Sequence, residues 1–401
     1  MTNLSSIRKE GFLPQEEMLE VRNKQSKLFI GIPKEKAHQE NRIALVPEAV
    51  QLLVSRGHEV WVETGAGDSA NFSDNEYSEH GAKIVYDSKE VFQANIILKV
   101  EPPTLEEVDL MKGRQTLISA LQIPTKNKAY FQHLLEKKVT ALAYEFIQDE
   151  SGMMPLMRSM SEIAGNTALL IASEYLSNVN NGKGLMLGGV AGVTPTEVVI
   201  IGAGTVGECA ARAALGLGAS VKVFDNSLSK IRRLQNDLNT RVYTSIIQPK
   251  VLSKALKRAD VVIGALRSND KRTPCVVAED MVQNMKEGSV IVDVSIDQGG
   301  CVETSELTNH EQPVFDKYGV IHYCVPNIPS RVARTASFAL SNLLTPTLLR
   351  IADEGGLENV LSRDPGLRHG VYLCHGILTH PMVGEWFDMP YKNIDLLIAS
   401  L

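Results

Sequence analysis

The 401-residue sequence predicts an α/β fold: a doubly wound parallel sheet beside a second α/β unit. Three observations carry that expectation. Short apolar runs alternate with helical spacing from Leu28 to Val325, which argues for βαβ units. The run Val198–Ile201 leads directly into G-A-G-T-V-G and then a helix rich in small residues. Beyond about Ala333 the pattern is helical again, so the end of the chain is expected to return to the first unit.

In order, residues 1 to 27 are polar and charged and read as a loosely attached arm. Leu28–Ile32 is a strand, and Pro47–Arg56 a helix closed by Gly57. Glu59–Thr64 is a strand, and a short helix opens at Tyr77. Lys83–Val85, Ile96–Val100 and Gln115–Leu121 are further strands. No glycine fingerprint occurs in this half, which suits it to a substrate. Two cations stand out there. Arg42 follows the first strand in E-N-R-I-A-L-V-P, and Lys99 ends the run I-I-L-K-V. Strand carboxyl ends line the ligand crevice of open α/β sheets. A lysine in so apolar a setting needs an anionic partner. An arginine suits the bidentate grip of a carboxylate. Both residues are also compatible with structural ion pairs at the surface.

Thr140–Phe146 is a buried strand. Helical spacing through Ala168, Leu169, Ala172 and Leu176 then marks a long crossing helix. In Gly202, Gly204 and Gly207 the spacing is G-x-G-x-x-G, between a strand and a helix. The first glycine allows the tight turn, the second a close backbone approach to a pyrophosphate, the third close helix–strand packing. Asp225 ends the next strand, Ser220–Phe224, where an acid accepts from ribose hydroxyls and repels a 2′-phosphate. The cofactor expected is therefore NAD, in a Rossmann unit. Val242–Thr244, Val261–Gly264, Val290–Val294 and Ile321–Val325 are its remaining strands, the last of them the final strand expected in the chain.

Composition narrows the partners. The net charge of −6 favours neither nucleic acid nor an anionic membrane. No apolar run has membrane length, and five scattered cysteines suit free thiols in a reducing compartment, so a cytoplasmic protein is expected. There is no metal-ligand spacing.

The motifs G-I-P-K-E, E-N-R-I-A-L-V-P, V-E-T-G-A-G, L-K-V-E-P-P, R-S-M-S-E-I-A-G, G-K-G-L-M-L-G-G-V-A-G-V-T-P, G-A-G-T-V-G, V-D-V-S-I-D-Q-G-G-C and Y-C-V-P-N-I-P belong to a match that runs from Leu28 to about Pro381. On these residues the chain resembles the alanine dehydrogenase family and, more distantly, the NAD-binding first domain of transhydrogenase. The resemblance implies a Rossmann domain (156–332) inserted in a flavodoxin-like or Rossmann-like substrate domain built from both ends (1–155 and 333–401). It also implies a homo-oligomer, hexamer or dimer, and a small amino acid or 2-oxo acid as substrate. Arg42 and Lys99 would hold the substrate carboxylate, and Asp297 would orient water or ammonia and stabilise the imine. Ser161 and Asn327 would touch the cofactor.

The family's acid/base histidine is replaced by Gln122 in A-L-Q-I-P, and glutamine exchanges no proton near neutral pH. His38 is the one histidine near Arg42 in sequence that could substitute. Three functions stay open: alanine deamination, the same scaffold with another amino acid or 2-oxo acid, and NAD binding without turnover. Ala333, in V-A-R-T-A-S, and the charged loop Arg267–Pro274 also depart from the family pattern.

Overall fold

The computed structural model describes residues 26–37, 39–268 and 272–399. Nearly all of the expected N-terminal arm, His38 and the centre of the loop 267–274 lie outside the described residues.

Among the described residues fifteen strands form two sheets. The first six are β1 (Phe29–Ile32), β2 (Glu59–Glu63), β3 (Lys83–Val85), β4 (Ile96–Leu98), β5 (Thr116–Ser119) and β6 (Thr140–Ala143). Next come β7 (Glu197–Ile201), β8 (Ser220–Phe224), β9 (Tyr243–Ser245), β10 (Val261–Gly264), β11 (Val290–Asp293), β12 (Val314–Lys317) and β13 (Val320–Tyr323). The hairpin β14 (Val371–Cys374) and β15 (Ile377–Leu378) follows. One sheet runs β15-β14-β6-β5-β4-β1-β2-β3, the other β12-β13-β11-β10-β7-β8-β9. Both turn back at their first strand, between β1 and β4 and between β7 and β10, which is the doubly wound order.

The expected final strand at Ile321 is followed by this hairpin, which pairs antiparallel with β6. The antiparallel edge strand β12 was also absent from the sequence reading. Its residues Val314–Lys317 are only partly buried, so they lack the continuous apolar signal of a central strand.

Alternation places each strand's residues on two cores. Ile30, Ile96, Leu98, Ile118 and Leu142 join one face of the first sheet, and Ile97, Leu117, Ala141 and Ala143 the other. In the second sheet, Val198, Ile200, Val261 and Ile263 face one way, and Val199, Ile201, Val262 and Ile291 the other. Parallel strands covered by helices on both faces read as unbroken apolar runs.

Two long helices connect the sheets. Helix Pro155–Leu176 puts Leu156 and Met160 in the first core and Ala164, Ala168 and Leu169 in the second. Helix Ala333–Asp353 returns the chain. Its Ala333, Ala336, Leu340, Leu344 and Leu348 form one apolar stripe in the first core. The first sheet therefore takes strands from both ends of the chain. Among the described residues no helix is long and apolar enough to cross a membrane.

Candidate active site

With one exception, the residues singled out in the sequence follow the carboxyl end of a parallel strand. Arg42 follows β1, Lys99 β4, Gln122 β5, Gly202 β7, Asp225 β8, Asp297 β11 and Asn327 β13. Ser161 is the exception, half-buried on the long crossing helix.

The two cations are deeply buried and each is held by two acids. Arg42 donates from Nε to Glu40 Oε1 at 2.7 Å and from Nη2 to Glu40 Oε2 at 2.5 Å. Its Nη2 also lies 3.5 Å from Glu101 Oε1, and its Nη1 3.5 Å from Met160 Sδ. Lys99 Nζ lies 3.1 Å from Glu107 Oε1 and 3.3 Å from Glu35 Oε2. A capping box at Thr104 orients Glu107, whose Oε2 accepts from the Thr104 amide at 2.9 Å. Glu35 accepts from the Val100 amide at 2.6 Å.

Burial works against all these charges, and pairing decides which survive. It acts to raise Glu40, but the Arg42 guanidinium holds that carboxyl well below the usual range. It opposes the Lys99 charge, yet Glu35 and Glu107 leave the ammonium's pKa raised. It lifts Glu35 to about 7, against Lys99 and the Val100 amide. It lifts Glu101 too, helped by the nearby Glu40 charge.

The second sheet supplies the opposite wall. Asn327 has φ 57° and ψ 47°, a left-handed conformation in which asparagine is tolerated. Its amide donates to Asp297 Oδ1 at 3.2 Å, and its Nδ2 to Glu40 Oε2 at 2.8 Å. Asp297, Asn327, Glu40 and Arg42 thus form one run of contacts across the cleft between the sheets. Asp297 opens onto cleft solvent. The surrounding walls raise its carboxyl to about 6, against the Asn327 amide and the Arg42 and Arg267 charges.

The glycine loop meets the requirements of a dinucleotide cradle. Gly202 has φ +118°, and a Cβ there would sit 2.3 Å from Ala265 O. A Cβ on Gly207 would fall 1.9 Å from Gly202 O, so helix and strand touch there. Gly204 faces open space and caps the twelve-residue helix Thr205–Gly216. It borders a groove of about 250 Å³ lined also by Asp225, Asn226, Lys230 and Arg267. Asp225 accepts from the Ala203 and Ser227 amides, each at 2.7 Å, which fixes its carboxylate beside that groove. Gly165, one turn beyond Ser161, lets the crossing helix touch the loop's helix, where a Cβ would meet Val206 O at 2.4 Å.

Gln122 also has a left-handed backbone, with φ 47°. The Leu121 and Gln122 amides donate to Glu145 Oε1 at 2.7 and 3.2 Å. Glu145 Oε2 is buried with no hydrogen-bond partner among the described residues, and burial raises the carboxyl. Glu35, Glu40 and Glu101 lie within the sequence motifs, where spacing alone assigns them no role, and Glu107 and Glu145 fall outside those motifs. The signal was available, since two cations in apolar surroundings require acids nearby.

The fold and the site define a two-sheet, doubly wound protein whose ionisable residues meet in the cleft between the sheets. Residues 31–164 match the alanine dehydrogenase/PNT N-terminal domain and residues 168–381 its C-terminal domain. The chain belongs to this family. It is 41% identical over 369 residues to the alanine dehydrogenase of Methanococcus maripaludis, covering 91% of this chain and 98% of that one. It is also similar to a solved L-alanine dehydrogenase, with a TM-score of 0.83 and 38% identity over 90% of this chain and 99% of that one. A transhydrogenase from Sinorhizobium meliloti shares the fold, with a TM-score of 0.75 and 24% identity over 88% and 99%.

Proposed function

We propose that the chain catalyses the reversible NAD-dependent oxidative deamination of L-alanine to pyruvate and ammonium in the cleft between its two sheets. The observation that carries this is the run Asp297–Asn327–Glu40–Arg42, which sets a carboxylate and a guanidinium of opposite walls in one place. The two walls are taken as domains, 156–332 inserted between 1–155 and 333–401. NAD, held by Gly202, Gly204, Gly207 and Asp225 with Ser161 at its edge, supplies the hydride acceptor. Arg42 binds the substrate carboxylate through the guanidinium edge that Glu40 leaves free, and buried Lys99 adds positive potential behind it. Asp297, ionised, faces the cationic imine and orients the water that attacks it. Asn327 keeps Asp297 aimed and joins it to the Arg42 wall. Gln122 donates a hydrogen bond to the carbonyl oxygen and transfers no proton.

Arg42→Ala tests the assignment. Pyruvate affinity should fall by at least about tenfold, because a hydrogen bond to a charged group contributes ~1.5–3 kcal/mol. NADH binding, read by fluorescence, should stay. Unchanged pyruvate dependence makes Arg42 structural. NADP binding as tight as NAD would remove Asp225 from its role.

The glutamine at position 122 favours a second function: another amino acid or 2-oxo acid on the same scaffold, or NAD binding without turnover. An NADH-linked screen of alanine, glycine and serine separates these. Family membership and the five free cysteines support a cytoplasmic homo-oligomer, hexamer or dimer, which sedimentation would test.

A further inference from the structure

A guanidinium offers two forks to a carboxylate, Nε with Nη2 and Nη1 with Nη2. Glu40 fills the first on Arg42, at 2.7 and 2.5 Å. The second is guarded loosely, by Glu101 Oε1 at 3.5 Å from Nη2 and Met160 Sδ at 3.5 Å from Nη1. The Glu101 distance is long for a charge-assisted bond, and Met160 is a weak acceptor. An incoming carboxylate can take a fork grip only where Glu101 now stands.

We propose that Glu101 is the positioning residue that the substrate carboxylate displaces from Arg42, and that it carries a proton when the carboxylate arrives. This inference rests on Arg42 as the substrate's anchor. Its physical basis is charge balance. Glu40 already neutralises the guanidinium, and with Glu101 ionised the substrate would be a third carboxylate on one cation. With Glu101 neutral, guanidinium, Glu40 and substrate leave one net negative charge, and the displaced carboxylic acid can donate its O–H to one of the carboxylates. Like charges on a shared partner do not all ionise.

The surroundings favour that proton. Glu40 and Arg42 face Glu101 from the segment after β1, with Glu35 beside them. Lys126 faces it from the segment after β5 and Tyr144 from the end of β6. The Glu101 side chain is 10% exposed. Burial first, then the Glu40 charge, push its carboxyl up to about 8, against Arg42. Above that pH a 2-oxo acid must bring one proton with it, and its binding weakens by about one decade per pH unit.

The test is calorimetric titration of pyruvate into the NADH-loaded protein without ammonium, so that nothing turns over. From pH 8 to 9 the dissociation constant should rise toward the limit of about tenfold, and buffers of different ionisation enthalpy should reveal uptake approaching about one proton at pH 9. Glu101→Gln should flatten the curve across that range and abolish the uptake. Glu35→Gln should keep both, because Glu35 titrates lower, at about 7. A flat wild-type curve, no proton uptake, or a Glu101→Gln curve as steep as wild type overturns the inference while leaving alanine chemistry standing. If pyruvate binds at no pH, Arg42 is not its anchor and both fail. Should Glu101→Gln not fold, proton uptake by the wild type decides alone.

Discussion

At the scale of single residues, burial and pairing pull each acid of the cleft in a different direction. Glu35 is lifted from 4.5 to about 7. Between those values the native protein binds more protons than the unfolded chain, so stability falls as pH rises. The contribution is complete below 4.5 and lost as pH passes about 7. Glu35→Gln should therefore shrink the drop in Tm between pH 5 and pH 8, read from thermal melts; an unchanged drop assigns it elsewhere. Asp297, raised to about 6, must be ionised to face an imine, so deamination should decline as pH falls through that value. Nothing at position 122 supplies a second titrating group. A positioned general acid/base contributes ~10²–10⁴-fold. Gln122→His should raise alanine turnover by about tenfold or more and add a new limb to the pH–rate profile. Steady-state kinetics over pH 5–9 would show it. An unaltered profile means the left-handed turn at Gln122 does not present an imidazole to the substrate.

At the scale of elements, the crossing helix Pro155–Leu176 holds the two walls in relation to each other. It touches the glycine-loop helix at Gly165, where a methyl would meet backbone rather than a side chain that can swing away. Gly165→Ala should cost about 1–3 kcal/mol as overpacking, seen as a lower urea midpoint. It should also weaken NADH binding, because the helix it displaces carries the N-terminus proposed to meet the pyrophosphate. A midpoint shift without a change in NADH affinity would mean the loop is positioned by its own sheet. The Thr104 capping box has a parallel consequence. It opens the helix Leu105–Leu110 and aims Glu107 at Lys99, so a local helix signal and a buried ion pair share one carboxylate.

At the scale of the molecule, short polar contacts join the walls beside the two connecting helices. The Asn41 amide donates to Ser330 Oγ at 2.9 Å, and Ser330 Oγ donates to Gln39 O at 2.7 Å. Ser330→Ala removes both. At ~0.5–1.5 kcal/mol each, the loss should be about 1–3 kcal/mol. If these bonds set the cleft's width, KM for pyruvate should rise more than kcat falls; equal changes in both would make the serine purely structural.

Much of the fold was legible because its signals are local. Unbroken apolar runs marked the buried parallel strands, and G-A-G-T-V-G lay between a strand and a helix, so the parallel strands of the second sheet could be read without their neighbours, while its antiparallel edge β12 could not. Arg42 and Lys99 were legible as cations in places where charge is costly. The β14–β15 hairpin was not, because its pairing with β6 joins residues more than two hundred positions apart. Nor was the state of the cleft. That Glu40 occupies one fork of Arg42, that Glu101 stands at the other, and that Asn327 ties Glu40 to Asp297 depends on distances between segments from two sheets. The sequence alone determined which residues are ionisable and which strand end each follows. The tertiary structure decided which of them share a partner, and in a buried site the shared partner settles where the protons sit, because charge withdrawn from water is stabilised only by what it touches.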